Sequence, residues 1–339
     1  MIDTAKFEFL MVDAAFYMLE RGGISIVGGV KLYGNSFYLK GEFSSSGARI
    51  IFDLGRRVFW VELSLPKFLQ GHNVFGTNRL VVLCREVIER VYGRLGIELS
   101  TREWGEIEES GIRLMRLDIA CSFRVGSSAT VNAVLESLFE HLRAESVKWS
   151  AHGAAYTEAV YNRQRSRRVS DKFYNKHREL MENKIHPTVK ARDLLMKYAE
   201  SIVRYEVTFR GAELKSLGLE FADQWNTKVV REIIESRINR LKLTQQFQSS
   251  DGFSRPVDLN DSSNMFLDLW LKGADLHVYK TYKTLQRARF TLIDKCGVDV
   301  FKAAAPRKCL DLSEILNPEN AIFNAPKKLV RQGAIFGFG

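Results

Sequence analysis

Seven cations crowd one tyrosine between Arg163 and Glu179 (RQRSRRVSDKFYNKHRE): Arg163, Arg165, Arg167, Arg168, Lys172, Lys176 and Arg178 surround Tyr174. Cations at this density neutralise a phosphate backbone, and a tyrosine hydroxyl, once activated, attacks a phosphodiester. Many basic stretches are only solvated faces. What favours chemistry here is a pair of acids on separate apolar segments. Asp118 and Glu206 each follow an arginine by two positions, Arg116 and Arg204. On a strand, that spacing puts arginine and carboxylate on one face. An internal arginine–carboxylate pair would explain either acid alone. Two such acids beside a basic tyrosine segment point instead to a divalent-metal site, because Mg²⁺ and Mn²⁺ take oxygen ligands with an occasional imidazole.

The imidazole candidate is His72, beside Asn73 in the glycine-flanked loop Gln70–Gly76 (QGHNVFG). The competing reading of a lone loop histidine is a hydrogen-bonding residue. Glu62, on the polar side of the preceding strand, is the remaining candidate ligand. Tyr174 and Lys176 share a strand face by the two-residue rule. A phenol titrates near pH ~10, so an attacking phenolate needs a nearby cation; Lys176 and the metal would supply that field and steady the phosphoryl oxygens. Tyr161 is the main competitor as nucleophile and Tyr156 a more distant one, while Tyr174 could also be an ordinary strand aromatic. His177, three positions past Tyr174, is placed to assist it.

Strands must carry these groups. Short runs over 28–30, 32–33, 36–42 and 49–52 are punctuated by Gly-Gly, Gly-Asn and Ser-Ser-Ser-Gly, as hairpins are. In 58–65, Phe59, Val61 and Leu63 alternate with Trp60, Glu62 and Ser64. Segment 112–124 alternates likewise, with Arg116, Asp118, Ala120 and Ser122 on one face. Strands over 158–162 and 169–176 join across the arginine-rich turn, and 202–209 follows. Helical spacing predicts helices over 78–95, 130–143, 189–201 and 228–243, the last one basic. A loop over 245–263 and helices over 265–276, 279–295 and 298–304 complete the chain. The pattern predicts an α+β domain followed by a helical region; with the candidate chemistry above, the expectation is an antiparallel-sheet nuclease domain with flanking helices over 1–220 and a mainly helical DNA-binding or accessory region over 221–339.

Bulk composition agrees with a folded chain and a polyanionic partner. The 339 residues are 45% hydrophobic and 27% charged with 6 prolines, which is globular rather than disordered. A net charge of +10 favours nucleic acid. Cys84, Cys121, Cys296 and Cys309 form no CxxC pair, so neither a zinc knuckle nor a disulfide framework is expected. The opening MIDTAKFEFLMVDAAFY, with Asp3 and Asp13 and no basic start, does not read as a signal peptide. No apolar run has the length to span a membrane.

Several ordered segments carry a resemblance: Met1-Ile2-Asp3, Pro66–Thr77 (PKFLQGHNVFGT), Arg116–Phe123 (RLDIACSF), Tyr174–Leu180 (YNKHREL) and Ile202–Leu219 (IVRYEVTFRGAELKSLGL). Together they resemble the gene II replication initiators of filamentous bacteriophages and, more loosely, plasmid rolling-circle initiators. The resemblance implies a site- and strand-specific DNA endonuclease and joining enzyme. Such an enzyme nicks the viral origin through a covalent 5′-phosphotyrosine and recircularises the displaced strand. It implies viral origin DNA, duplex and single-stranded, as substrate, a host helicase and polymerase as partners, and the host bacterial cytoplasm as location. By position, Tyr174 falls on the family's Tyr-x-Lys tyrosine, and Asp118, Glu206, Glu62 and His72 fall on its acidic and Gly-His-Asn positions. In plasmid initiators the reactive tyrosine lies one strand earlier, which corresponds to Tyr161. The paired-histidine motif of many other rolling-circle nucleases is absent. The alternative from another class is a non-catalytic duplex-DNA-binding protein, a repressor or packaging factor reading a groove with its basic helices.

Overall fold

The computed structural model describes residues 1–21, 26–27, 30–31, 33–41, 43, 47–126, 128–145, 149–152, 158–243, 259–271, 276, 282–301 and 311–337. Eleven strands lie among them: β1 (Ile2–Leu10), β2 (Ile26–Val27), β3 (Val30–Lys31), β4 (Ser36–Lys40), β5 (Gly47–Asp53), β6 (Val58–Ser64), β7 (Arg113–Arg124), β8 (Trp149–His152), β9 (Ala159–Asn162), β10 (Val169–Asn175) and β11 (Ile202–Arg210). Helices α1 (Asp13–Glu20), α2 (Leu65–Gln70), α3 (Leu80–Arg94), α4 (Thr101–Ser110) and α5 (Ser128–Glu145) belong to the first half. α6 (Lys176–Asn183), α7 (Arg192–Ala199), α8 (Gly211–Leu217), α9 (Thr227–Asn239), α10 (Asp261–Leu271), α11 (Tyr282–Cys296), α12 (Leu312–Ile315) and α13 (Lys327–Arg331) follow.

Nine strands form one antiparallel sheet in the order β4-β5-β6-β1-β7-β11-β10-β9-β8, with β2 and β3 as a separate ribbon. The interior strand β1 is absent from the sequence expectations. Its alternation is legible all the same: Ala5, Phe7 and Phe9 are buried on one side, and Lys6 and Glu8 lie on the other. β1 joins β6 to β7, so the two halves of the sheet meet across it. Strands β6, β7, β9, β10 and β11 lie where the alternation places them.

One face of the sheet is apolar. Leu117, Ile119, Cys121, Phe123, Val203, Tyr205 and Val207 build the main core with Leu83, Val87 and Val91 of α3, Val131, Leu135 and Leu138 of α5, and Val230, Ile234 and Ile238 of α9. A second cluster joins Val74 and Phe75 of the glycine-flanked loop to Leu180 of α6, Leu195 of α7, Leu329 of α13, and Ala334 and Ile335. Segments far apart in sequence thus close on the same loop. Between α9 and α12 the chain makes a further core of its own, with Phe266, Leu267 and Trp270 of α10 against Leu285 and Leu292 of α11.

Two expectations need correction. Lys176 does not continue the tyrosine strand: the Asn175 side chain accepts from Arg178 N, caps a helix, and makes Lys176 its first residue. The expected helix over 298–304 is not helical at 298–301, where Gly297 breaks α11 in the left-handed region (φ 66°). The rest of that segment lies outside the described residues, as do 245–258 of the expected loop and part of the 28–33 runs.

Within the apolar face sits one buried acid. Asp171 on β10 receives Nε and Nη2 of Arg237 on α9 at 2.7 and 2.6 Å. Its oxygens also accept from Tyr205 Oη at 2.7 Å and Asn162 Nδ2 at 3.0 Å. Removing one partner of such a pair leaves an uncompensated buried charge, at a cost of about 3–5 kcal/mol. Arg237→Ala should therefore lower unfolding stability by about that amount in urea titrations, and Asp171→Asn in the same background should recover part of the loss.

Candidate active site

The polar face of the sheet gathers the chemistry, because cross-strand register aligns residues from separate motifs. One row runs Tyr161–Lys172–Glu206–Ala120 across β9, β10, β11 and β7. The next runs Ala159–Tyr174–Arg204–Ser122, and on the other side Ser170–Thr208–Asp118. Tyr174 and Glu206 sit diagonally across one strand boundary. The Tyr174 hydroxyl donates to Glu206 Oε2 at 3.2 Å, and Lys172 Nζ lies 4.0 Å from the Tyr174 ring centroid. The phenol is only 4% exposed. Burial, then the Glu206 charge, push its pKa well above the ordinary value. Tyr161 is half-buried, with Lys172 Nζ 5.5 Å from its ring.

Glu206 is the group most altered by this setting. Burial first, then the neighbouring charge of Asp3, raise its pKa to about 7 even though Lys172 pulls the other way; Asp118 adds to the rise. A carboxylate so poised accepts a phenolic proton far more readily than an ordinary one. Asp118 is buried and gripped by Arg116 through Nε–Oδ1 at 3.0 Å and Nη2–Oδ2 at 2.7 Å. Burial raises its pKa more than Arg116 lowers it. Arg116 also donates to Glu62 at 2.8 Å, while Glu62 stays exposed and lies 4.0 Å from Lys6 Nζ.

Asp3 is a functional candidate to which sequence reasoning gives no role, since it enters there only as an N-terminal acid and as part of the Met1-Ile2-Asp3 segment. The β1–β7 register shifts between Ile2 and Ala5, and Asp3 lies in that irregularity, outside simple alternation. It is buried and accepts from Ser64 Oγ at 2.9 Å and Asn73 Nδ2 at 2.9 Å, with Arg204 Nη2 at 3.7 Å. The usable signal is its place in the opening Met1-Ile2-Asp3 segment, ahead of an alternating strand.

Within the Gly-His-Asn loop, Asn73 rather than His72 faces the charged groups. Asn73 donates to Asp3 and its Oδ1 accepts from Lys176 Nζ at 2.7 Å. Buried Arg204 holds the loop by donating to Val74 O at 2.8 Å and Asn73 O at 2.9 Å, and it also donates to Ser122 Oγ at 3.1 Å. His72 has both ring nitrogens engaged, Nε2 with Ala334 O at 2.8 Å and Nδ1 with Gln70 Nε2 at 3.4 Å. Burial lowers its pKa to about 4, so it is neutral. It ties the loop to the C-terminal segment.

The remaining cations divide by what they touch. Arg163, Arg165 and Arg167 are exposed on the β9–β10 turn, where Arg163 takes a left-handed conformation (φ 50°). Arg168 is exposed but donates to Glu213 at 2.8 Å and Ser216 at 3.1 Å; Arg178 pairs with Glu158 at 3.1 Å. Tyr156 lies outside the described residues. Asp3, Asp118 and Glu206 supply the oxygen donors that a hard cation takes. Among the described residues, however, no three His, Cys, Asp or Glu side chains already stand together as an ion cage. His72 and Glu62 are committed to other partners.

Comparison with known proteins adds the following. The family profile for the N-terminal part of the phage replication-associated protein, the gene II product, matches residues 1–228. The replication-associated protein of the same family from Enterobacteria phage I2-2 is 24% identical over 246 residues, 71% of this chain and 69% of that protein. A solved structure of the rolling circle replication initiator protein from Geobacillus stearothermophilus aligns at 13% identity with a TM-score of 0.31, covering 70% of this chain and 83% of the other.

Lys176 and Glu179 give the site a measurable acid limb. Burial lowers the Lys176 pKa to about 8. Burial alone would raise Glu179, but Lys176 at 2.6 Å and Lys67 at 2.9 Å hold it down to about 2. A depressed carboxylate stabilises the fold above its unfolded pKa of about 4.5 and loses that contribution as pH falls toward about 2. Glu179→Gln should flatten stability over that window, measured by denaturant unfolding at stepped pH.

Proposed function

Because the chain belongs to the family of phage replication-associated gene II proteins, we propose that it initiates rolling-circle replication by nicking and rejoining one strand of viral origin DNA. The observation that carries this reading is the hydrogen bond from the Tyr174 hydroxyl to Glu206, a carboxylate whose pKa is about 7. Tyr174 Oη attacks the phosphorus while Glu206 takes the phenolic proton. A phosphotyrosine bond forms to the 5′-phosphate, the bond to the 3′-oxygen breaks, and that oxygen leaves as a hydroxyl carrying the proton. The phosphodiester's energy is kept in the protein–DNA bond, so a 3′-hydroxyl can reverse the step without ATP. With the phenol's pKa raised by burial, transfer of its proton to Glu206 accompanies the attack, Lys172 over the ring and Lys176 nearby face the developing negative charge, and Arg163, Arg165 and Arg167 hold flanking phosphates.

The chemistry also has a place for a divalent ion, Mg²⁺ or Mn²⁺. Asp118 and Asp3 would offer it oxygen ligands, leaving Glu206 to take the phenolic proton, and when bound it would supply charge stabilisation at the scissile phosphate. In this reading residues 1–220 carry the groups that nick and join, α9 and residues 312–337 pack against them, and the region 221–339 also contacts DNA. Host helicase and polymerase then act on the opened origin in the bacterial cytoplasm.

Tyr174→Phe should abolish the detergent-resistant protein–DNA adduct on supercoiled origin plasmid with Mg²⁺ while leaving binding to origin DNA near wild type. Adduct at wild-type yield in that variant, and its loss in Tyr161→Phe, would move the nucleophile to Tyr161. Open circles with free 5′-phosphate would mean a plain hydrolase, and binding without any nick a DNA-binding protein. Asp118→Asn and Glu206→Gln should each cut nicking by at least ~100-fold across a Mg²⁺ titration, the low end for a lost acid–base or metal role. Unchanged rates would return both acids to a structural role.

A further inference from the structure

Resting on the reading of this chain as a DNA-nicking enzyme, we propose that a cationic row across its polar sheet face is a track for single-stranded DNA passing beside Asp118. Register defines the row. Tyr38 on β4 pairs with Arg49 on β5, and continuing the β5–β6 register one step sets Arg49 beside Glu62. Glu62 pairs with Lys6 on β1, Lys6 with Arg116 on β7, and Arg116 with Arg210 on β11. Six strands contribute, and with strands about 4.8 Å apart the row is about 24 Å long. Arg116 precedes Asp118 by two positions, so the row runs about 7 Å from the Asp118 row and parallel to it.

The charge order in this row is poor for a sheet by itself. Lys6, Arg116 and Arg210 stand directly opposite one another on consecutive strands, and like charges so placed are destabilising. Asp118 and Glu62 answer Arg116, and Glu62 lies 4.0 Å from Lys6, while Arg49 and Arg210 donate only to the hydroxyls of Ser36 and Ser170 among the described residues. All four cations reach solvent: Arg49 is exposed, and Lys6, Arg116 and Arg210 are half-buried. An anion laid across them would remove the repulsion, and a phosphate backbone has the right shape and charge.

The end of the row selects single strand over duplex. Tyr38 is 52% exposed. A Cβ at Gly47 would collide with the Tyr38 ring and hydroxyl, so the ring lies over the bare glycine backbone. One ring face therefore rests on the strand and the other is open to solvent, the arrangement on which an unpaired base stacks. Paired bases in a duplex present no free face to it.

The test uses the full chain, fluorescence anisotropy with a short oligothymidylate, and a duplex of equal length. Tyr38→Ala should weaken single-strand binding by about five-fold or more, the loss of one base–aromatic stack, and Tyr38→Phe should restore it. Arg49→Gln and Arg210→Gln should each lower the slope of log affinity against log salt by about 0.7, as one lost phosphate contact does on single strands. Wild-type single-strand affinity in Tyr38→Ala and Arg49→Gln, with unchanged circular dichroism, would overturn the track; so would an equal loss on duplex. Should Tyr38→Ala fail to fold, the exposed Arg49→Gln decides alone. A wild-type protein that nicks nothing, yet loses oligothymidylate with Tyr38, would sink the nuclease reading and leave the track standing.

Discussion

The polar face depends on negative charge that is buried and only partly neutralised. Asp3 and Asp118 both raise the proton affinity of Glu206, and Asp3 also raises that of Asp118. Each acid is restrained differently. Arg116 chelates Asp118, and Asn73 with Ser64 holds Asp3. Glu206 is left with Tyr174 as its bonded partner and Lys172 as its nearest counter-charge. Such an arrangement costs stability in isolation. It persists because the surrounding sheet is fixed by a large apolar core on its other side, with α3, α5 and α9 packed over it.

Two arginines, Arg204 buried and Arg237 partly buried, turn that scaffold into a site. Arg204 links β11 to the loop carrying Asn73, and Asn73 joins Asp3 to Lys176. Arg237 links β10 to α9 from the opposite face. The paired strands β10 and β11 are thus pinned from opposite faces, and the Tyr174 hydroxyl is aimed by backbone register.

Much of this was legible in the sequence, and the failures have physical causes. Alternation fixes β6, β7, β10 and β11, because one face of each is apolar and the other polar; Asp118, Glu206 and Tyr174 consequently occupy neighbouring positions of one face. Lys176 escaped because a two-residue rule holds only while the strand lasts, and Asn175 caps a helix one residue before it. Asp3 escaped because a register shift breaks the alternation at its position. At His72 the loop histidine is engaged by Ala334 and Gln70, and the amide of Asn73 next to it meets the acids, a difference that residue type alone does not reveal.

The fastening of His72 to Ala334 has an architectural consequence. The segment matched by the family ends at residue 228, yet the loop that orders Asn73 is closed by Leu329, Ala334 and Ile335 from beyond it. A fragment cut at that boundary would bare the apolar side of α6 and α7 and strip His72 of its carbonyl acceptor. The smallest autonomous body that keeps this site whole is therefore discontinuous along the chain: the sheet together with residues 312–337, with α10 and α11 inserted between them as an excursion bearing its own core.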